Sequence, residues 1–244
     1  MTTENAKSHD NRNFATEALL EEAHQRLYPS LTVPSYLVLR SRRTIFSKWA
    51  SQFRGNLKVL DIGGRYQPYR PLLGNRVERY IAIDLLKTPL VDVLADAEAL
   101  PFATEVFDLV IGTQVMEYFR EPSVAIKGIH ALLKPGGILL ASFAACTPRI
   151  VEEERWRFTG PGLRDLLSDF SKVNVVPELY SVGSVIRTVN LALDTFVRYE
   201  SARWVYRRTG CPLLNVFGLA MEKLNLTSND QFTANYSVLA VKKE

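Results

Sequence analysis

Hydrophobic and polar positions alternate along this chain with two different periods, and the change of period marks its parts. From Phe14 to Leu27 the apolar residues Phe14, Ala18, Leu19, Ala23 and Leu27 recur at helical spacing. After Pro29 and Pro34 a second helical pattern runs from about Ser35 to Phe53, with Leu37, Val38, Ile45, Phe46 and Trp49 beside Arg40, Arg42, Arg43 and Lys48. Two readings of that basic edge stay open: a solvated flank of a packing helix, or positive charge offered to an anionic ligand. From Leu57 onward short apolar runs alternate with helical ones. Strands are predicted at Val59–Asp61, Tyr80–Asp84, Val91–Leu94, Phe107–Gly112, Ile138–Phe143 and Lys172–Val176. Helices are predicted at Pro122–Leu133 and Leu163–Phe170. Lys134-Pro135-Gly136-Gly137 stops the first of these, because proline cannot continue a helix and glycine supplies the turn. This alternation predicts an α/β fold with a doubly wound, mainly parallel sheet.

The last third departs from the alternation. Ser184–Tyr199 and Leu213–Leu224 read as apolar-rich helices, with Arg198, Arg203, Arg207 and Arg208 between or beside them, before a closing strand Tyr236–Val241. An insert of about 50 residues between two strands is usually functional. Its readings are a lid over a site, a homodimer face, or a peripheral membrane contact with arginines toward anionic headgroups. The domain reading is therefore a polar, disordered tail at 1–13, a helical extension at 14–55, and one α/β domain at 56–244 with a helical insert at about 180–230.

Composition narrows the classes. At 244 residues and 47% hydrophobic, the chain can bury one sizeable core. A net charge of +4 is compatible with an anionic substrate or membrane surface and does not call for nucleic acid. Two distant cysteines, Cys146 and Cys211, give neither a disulfide framework nor metal-ligand spacing. With no apolar signal region in 1–13 and no run approaching the ~18 apolar residues of a spanning helix, the chain reads as cytoplasmic, with the inner face of the membrane as the variant of that reading.

The chemistry gathers at strand ends. Leu57–Tyr69 reads L-K-V-L-D-I-G-G-R-Y-Q-P-Y, a strand that breaks at Gly63-Gly64, where glycines let backbone approach a ligand beyond the carboxyl end of the strand. Asp61 is followed by Asp84 after 23 residues and by Asp96 after a further 12. In a parallel sheet adjacent strand ends lie about 5 Å apart, so the three acids can line one crevice. Asp84 is placed to accept hydrogen bonds from ribose hydroxyls, and Asp96 from an exocyclic amine. Together they point to a nucleoside-type cofactor.

The series V-L-D-I-G-G, Y-I-A-I-D, D-A-E-A-L-P-F, F-D-L-V-I-G-T-Q-V-M-E-Y and L-L-K-P-G-G-I-L-L resembles class I S-adenosylmethionine-dependent methyltransferases of the type 11 kind, from Leu57 to about Phe143. W-R-F-T-G-P-G-L-R-D-L-L from Trp156 and the closing N-Y-S-V-L-A-V-K are similar, more narrowly, to a bacterial subgroup associated with cell-surface polysaccharide and glycolipid biosynthesis. The resemblance implies a seven-stranded Rossmann-like sheet with its last strand antiparallel, and S-adenosyl-L-methionine as cofactor. It implies that Asp61, Gly63 and Gly64 surround the methionine part, Asp84 and Leu85 the ribose, Asp96 and Ala97 the adenine, and Gly112, Thr113 and Gln114 the transferred methyl. Arg65 stands where the family has the second glycine of D-x-G-x-G, so it narrows the pocket, contacts the carboxylate or weakens cofactor binding.

For a sugar hydroxyl a general base is useful. The family often has histidine where this chain has Tyr118, and His9, His24 and His130 lie elsewhere. The catalytic candidates are thus Glu117, Tyr118, Glu152, Glu153 and Glu154, while Tyr118, Trp156 and Arg157 are candidates to hold substrate. The leading function is O-methylation of a sugar, glycan or lipid-linked saccharide hydroxyl, on an acceptor that the basic insert allows to be anionic. The alternatives are a methyltransferase of another small molecule, a degenerate methyltransferase-fold binding module, and a nicotinamide-dependent oxidoreductase. The last is disfavoured because G-x-G-x-x-G is absent.

Overall fold

The computed structural model describes residues 3–149, 151–224 and 229–244, with side chains described from Ala15. Residues 225–228 of the expected insert, and Met1 and Thr2 of the expected tail, lie outside the described residues. The chain begins with α1 (Thr3–Leu27) and α2 (Tyr36–Ala50). The helix α1 extends N-terminal to Phe14 through residues 3–13, which contain neither proline nor glycine. The strands and helices then follow as β1 (Leu57–Ile62), β2 (Val77–Asp84), β3 (Val93–Leu94), β4 (Phe107–Thr113), α3 (Pro122–Leu132), β5 (Leu133–Ala144), α4 (Gly160–Leu166) and β6 (Lys172–Pro177). Three helices come next, α5 (Ser181–Phe196), α6 (Glu200–Arg208) and α7 (Gly210–Leu224), before β7 (Asn235–Val241). The segment after the glycine turn is a 3-10 helix, Arg70–Arg76, bent at Gly74 where φ is 56°. Among the described residues no helix is long and apolar enough to cross a membrane.

The sheet has seven strands in the order β3-β2-β1-β4-β5-β7-β6. β1 through β5 are parallel, and β7 runs antiparallel between β5 and β6. β1 lies between β2 and β4, so strand order reverses there and opens a crevice at the carboxyl ends of these three strands. Register fixes what meets at that edge: Ile62 lies beside Ile83 and Gly112, and Thr113 beside Ser142.

Each face of the sheet is sealed by its own core. On one, Ile126, Ile129 and Leu132 of α3 and Leu163 of α4 pack with Leu60, Val110 and Phe143. On the other, Phe46, Trp49 and Ala50 of α2 pack with Val59, Leu109, Ile111 and Leu140. The inserted helices join this second side. Ile186, Leu214 and Leu219 pack with Leu37 and Val38 of α2, and Gly218 allows the close crossing, since a Cβ there would lie 2.5 Å from Leu37 Cδ1. Buried Asn215 donates to the carbonyls of Leu31 (2.7 Å) and Val33 (3.0 Å) and accepts from Asn190 (3.1 Å).

A buried ion pair fixes α2 against the sheet. Arg42 donates through Nε and Nη2 to both carboxylate oxygens of Glu178, at 2.7 and 2.9 Å, and both residues are almost wholly shielded from water. Arg42 is therefore not part of a solvated edge: with Val38 and Phe46 four residues to either side, it lies on the buried stripe of α2. Arg42→Met alone leaves the Glu178 carboxylate buried without its cation and should cost about 3–5 kcal/mol in urea denaturation. The double variant Arg42→Met/Glu178→Gln should cost clearly less than the two single losses added, as a thermodynamic cycle will read.

Candidate functional site

The glycine turn is closed by backbone bonds, since the amides of Gly63 and Gly64 both donate to the Ile83 carbonyl, at 2.9 and 3.0 Å. Gly63 has φ 73°, and a Cβ on Gly64 would lie 2.9 Å from both the Asp61 carbonyl and the Ala82 Cβ. Neither position tolerates a side chain. Arg65, the next residue, is not at positive φ, so the chain needs no glycine there. Its guanidinium lies 5.1 Å from the Tyr66 ring centroid and close enough to the Tyr118 phenol to act on its ionisation. The sharper backbone demand falls at Gln67, with φ 53°, whose side chain donates to the Leu90 carbonyl at 2.6 Å and accepts from Arg70 at 2.9 Å.

Asp61 is buried and accepts a 2.6 Å hydrogen bond from the Tyr80 hydroxyl. Burial pushes its carboxyl up to about 7; the Tyr80 bond opposes this, the charge of Asp84 adds to it, and Arg70 opposes it. Asp84 thus lies within electrostatic reach of Asp61 at the carboxyl ends of neighbouring strands. Asp84 and Asp96 each commit Oδ1 to a turn, accepting from the Leu86 and Glu98 amides, both at 2.9 Å. Their Oδ2 atoms make no hydrogen bond among the described residues. Leu85 is 72% exposed beside Asp84, whereas Ala97 is buried. Glu98 accepts from the amides of Arg120 and Glu121, which ties the Asp96 loop to the loop after β4.

At the end of β4, Gln114 adopts φ 50°, and its amide and side chain reach the Ser142 carbonyl and hydroxyl, each at 3.0 Å. Thr113 lies beside Ser142 in the sheet. Beyond them Glu117 is buried, with Oε2 lacking any hydrogen-bond partner. Burial pushes its carboxyl up to about 7; its own backbone N–H and Arg42 oppose, Glu154 adds, and Arg157 opposes. Tyr118, half-exposed, is hydrogen-bonded to Glu154, and burial with the charges of Glu117 and Glu154 raises its phenol above the ordinary value.

Glu154 thus joins Glu117 and Tyr118, while Glu152 and Glu153 are exposed and stand apart. The Trp156 indole donates to the Phe119 carbonyl at 2.8 Å, and the backbone amides of Arg155 and Trp156 donate to the Glu117 carbonyl. Arg157 pairs with Glu154 and donates to the carbonyls of Thr147, Pro148 and Trp156. Its donors are taken up by the protein, which makes it a clamp on the loop that follows β5. His130 is remote, with its ring edge-on to Phe170 at 4.9 Å.

Several participants are outside the sequence candidates. Tyr80 shares the alternating face of β2 with Ala82 and Asp84, a period-2 signal that could have placed it beside Asp61. Glu178, Arg187 and Asn235 carry no local signal. Glu178 accepts from Ser142 and Ser237 as well as Arg42 and Asn235, so Gln114–Ser142–Glu178 is a continuous hydrogen-bonded path beneath the crevice.

Residues 60–141 match a family described as a methyltransferase domain. The human mitochondrial arginine-hydroxylase NDUFAF5 is 32% identical over 94 residues, covering 35% of this chain and 26% of that protein. The Danio rerio counterpart is 30% identical over 116 residues, covering 40% and 36%. The chain thus spans about a quarter to a third of the length of the curated relatives it matches. Among solved structures, a SAM-dependent methyltransferase from Archaeoglobus fulgidus is similar with TM-score 0.53 and 15% identity, over 82% of this chain and 94% of that one. Phosphoethanolamine N-methyltransferase 2 of Haemonchus contortus, solved with S-adenosyl-L-methionine, has TM-score 0.53 and 12% identity, over 91% and 60%. The [4+2]-cyclase SpnF has TM-score 0.51 and 19% identity, over 83% and 80%. Likeness at such identities concerns the fold, and the reaction must be argued from the site. The strand order, the antiparallel β7 and the glycine turn at the switch point give this chain the class I methyltransferase fold, with residues 60–141 as its match to the methyltransferase-domain family.

Proposed function

We propose that the protein is an S-adenosylmethionine-dependent methyltransferase that transfers the methyl group to a hydroxyl of a sugar, glycan or lipid-linked saccharide. The observation that carries the cofactor assignment is the side-chain-free cradle at Gly63-Gly64 flanked by Asp61 and Asp84. Backbone there can approach a ligand closely, and two carboxylates suit ribose hydroxyls and cationic groups. Asp61, Gly63 and Gly64 would hold the methionine part, Asp84 the ribose, and Asp96 with Ala97 the adenine. When bound, the cofactor supplies a methyl already activated by its sulfonium. The protein's work is then to orient the acceptor and to take its proton.

Glu117 supports a hydroxyl as the acceptor group. It is a buried carboxylate with an unpaired oxygen and a carboxyl near 7, which suits a base. With that methyl supplied, Glu117 Oε2 would take the proton that the acceptor hydroxyl gives up. Tyr118 and Glu154 border that base, and Trp156 pins their loop.

The insert supports a lipid-linked acceptor at an anionic bilayer. Along α5 the buried residues are Gly183, Ser184, Ile186, Arg187, Asn190 and Asp194, while Val185, Val189, Leu193 and Phe196 form an exposed apolar stripe. Trp204 on α6 and Leu213 on α7 are exposed as well, and the Arg208 guanidinium stacks 3.9 Å from the Trp204 ring centroid. Arginines among exposed aromatic and aliphatic side chains match an anionic headgroup layer.

Three measurements follow. Calorimetry should show binding of S-adenosylhomocysteine, weakened about 10- to 150-fold in Asp84→Ala, or about 1.5–3 kcal/mol. No binding by the native protein would remove the cofactor assignment. Because the Asp61 carboxyl lies near 7 when folded and near 4 when unfolded, the folded state holds the extra proton between these values. Its contribution to stability therefore falls as pH rises from about 4 to about 7 and then levels, and Asp61→Asn should flatten that slope. Finally, flotation should recover the protein with vesicles containing phosphatidylglycerol and not with phosphatidylcholine alone, and Val189→Glu/Leu193→Glu should abolish recovery. A stable dimer in solution with no flotation would assign the stripe to self-association.

A further inference from the structure

The inner face of α5 holds a buried cation without a counter-ion. Arg187 is 4% exposed, and its Nη1 donates to the Thr147 hydroxyl at 2.7 Å. Its Nε is buried without a hydrogen-bond partner, and among the described residues no carboxylate lies within ion-pair distance. Its neighbour Arg42 already engages both oxygens of Glu178. Burial and the Arg42 charge push the Arg187 guanidinium down to about 10, against the pull of Glu178 and Cys146. A buried charge left unpaired is among the most unfavourable arrangements a fold can keep. Surplus positive charge at this point therefore asks for an anion.

Two further buried atoms lack partners in the same region, and both are acceptors. Asn235 is 1% exposed, donates to Glu178 Oε2 at 3.1 Å, and leaves its Oδ1 unsatisfied. Glu117, within electrostatic reach of Arg42, leaves Oε2 unsatisfied. Thr147, to which Arg187 is bound, lies just beyond β5, and its carbonyl accepts from Arg157 Nε at 3.1 Å. The unpaired guanidinium edge is thus at the carboxyl end of the sheet, on the side where Gln114 joins the Ser142–Glu178 path. Buried polar groups in folded proteins are almost always paired, and the Arg187 Nε together with two unpaired acceptors beside the Arg42–Glu178 pair calls for a ligand with matching groups.

We propose that Arg187 anchors an anion subsite for the acceptor, taking a carboxylate or phosphate, while Asn235 Oδ1 receives a hydroxyl of the same molecule. The substrate class is an anionic, hydroxylated one: a sugar acid or a sugar phosphate. This rests on reading the crevice as a methyl-transfer site, and it adds the group by which the acceptor is oriented. Arg187 works at the substrate and not at the cofactor.

The test is thermal unfolding of the full chain, with and without S-adenosylhomocysteine, titrated with glucuronate, glucose 1-phosphate, inorganic phosphate or neutral glucose. The expected result is stabilisation by the anionic sugars and none by glucose; which anionic sugar acts at lower concentration separates carboxylate from phosphate. Arg187→Met should raise the apparent dissociation constant for the effective anion at least tenfold while leaving affinity for S-adenosylhomocysteine unchanged. It should also melt at or above the temperature of the native protein, because it removes an unpaired buried charge. Anion stabilisation that survives Arg187→Met, or its absence in the native protein, overturns the subsite. A variant that melts far lower or fails to fold overturns it too, by assigning Arg187 to the scaffold. Loss of S-adenosylhomocysteine binding in the native protein, with Arg187-dependent anion binding retained, would instead remove the methyl-transfer reading and leave the subsite standing.

Discussion

The arrangement above the sheet depends on one buried carboxylate. Glu178 accepts two hydrogen bonds from Arg42 and one each from Ser142, Ser237 and Asn235. It sits one residue past β6, so this single group gathers α2, β5 and β7 at the carboxyl end of the sheet. A buried ion pair is weak evidence for net stability, because desolvation of both partners offsets the attraction. What it supplies is position. With α2 fixed, the crossing at Gly218 and the Asn190–Asn215 bond hold α5 and α7 over the same end.

The crevice consequently has two unlike walls. On the β1–β2–β4 side, the backbone of Gly63-Gly64 and the carboxylates of Asp61 and Asp84 form a cradle whose shape is set by main-chain bonds to Ile83. On the β5 side, Gln114, Ser142, Glu117 and Arg187 form a polar wall whose groups are only partly satisfied. A satisfied wall suits a ligand that every turnover reuses. An unsatisfied one suits an acceptor that supplies the missing partners. Arg65 lies within electrostatic reach of Tyr118.

Most of the parallel sheet was legible because its signals are local. Apolar runs ended by acids or glycines marked β1, β2 and β4, and the proline and glycines after α3 marked the end of that helix, although β5 already begins at Leu133 and runs through them. The acids Asp61 and Asp84 could be brought together from spacing alone, since parallel strands bring their ends into one row. What could not be read was long-range or conformational. Arg42 and Glu178 are 136 positions apart, and only the placement of Arg42 between Val38 and Phe46 hinted at burial. Gln67 and Gln114 take positive φ without the glycine or asparagine that would announce it. The helix α6 was missed because its charged residues masked its amphipathic pattern. In α5 polar Ser184, Arg187, Asn190 and Asp194 are buried along with Ile186, while several apolar residues are exposed, so apolar spacing identified the helix and concealed which face is buried.

The central claim is that the glycine cradle and the acids beside it hold a nucleoside whose methyl-bearing end points toward Gln114 and Glu117. A crystal structure of the native protein grown with S-adenosylhomocysteine tests it most directly. The account predicts the ribose on the Asp84 carboxylate, the homocysteine over Gly63-Gly64 with its sulfur toward Gln114, and open space between that sulfur and Glu117. Ligand bound elsewhere, or a cradle closed by Arg65 with no ligand in it, would contradict the account.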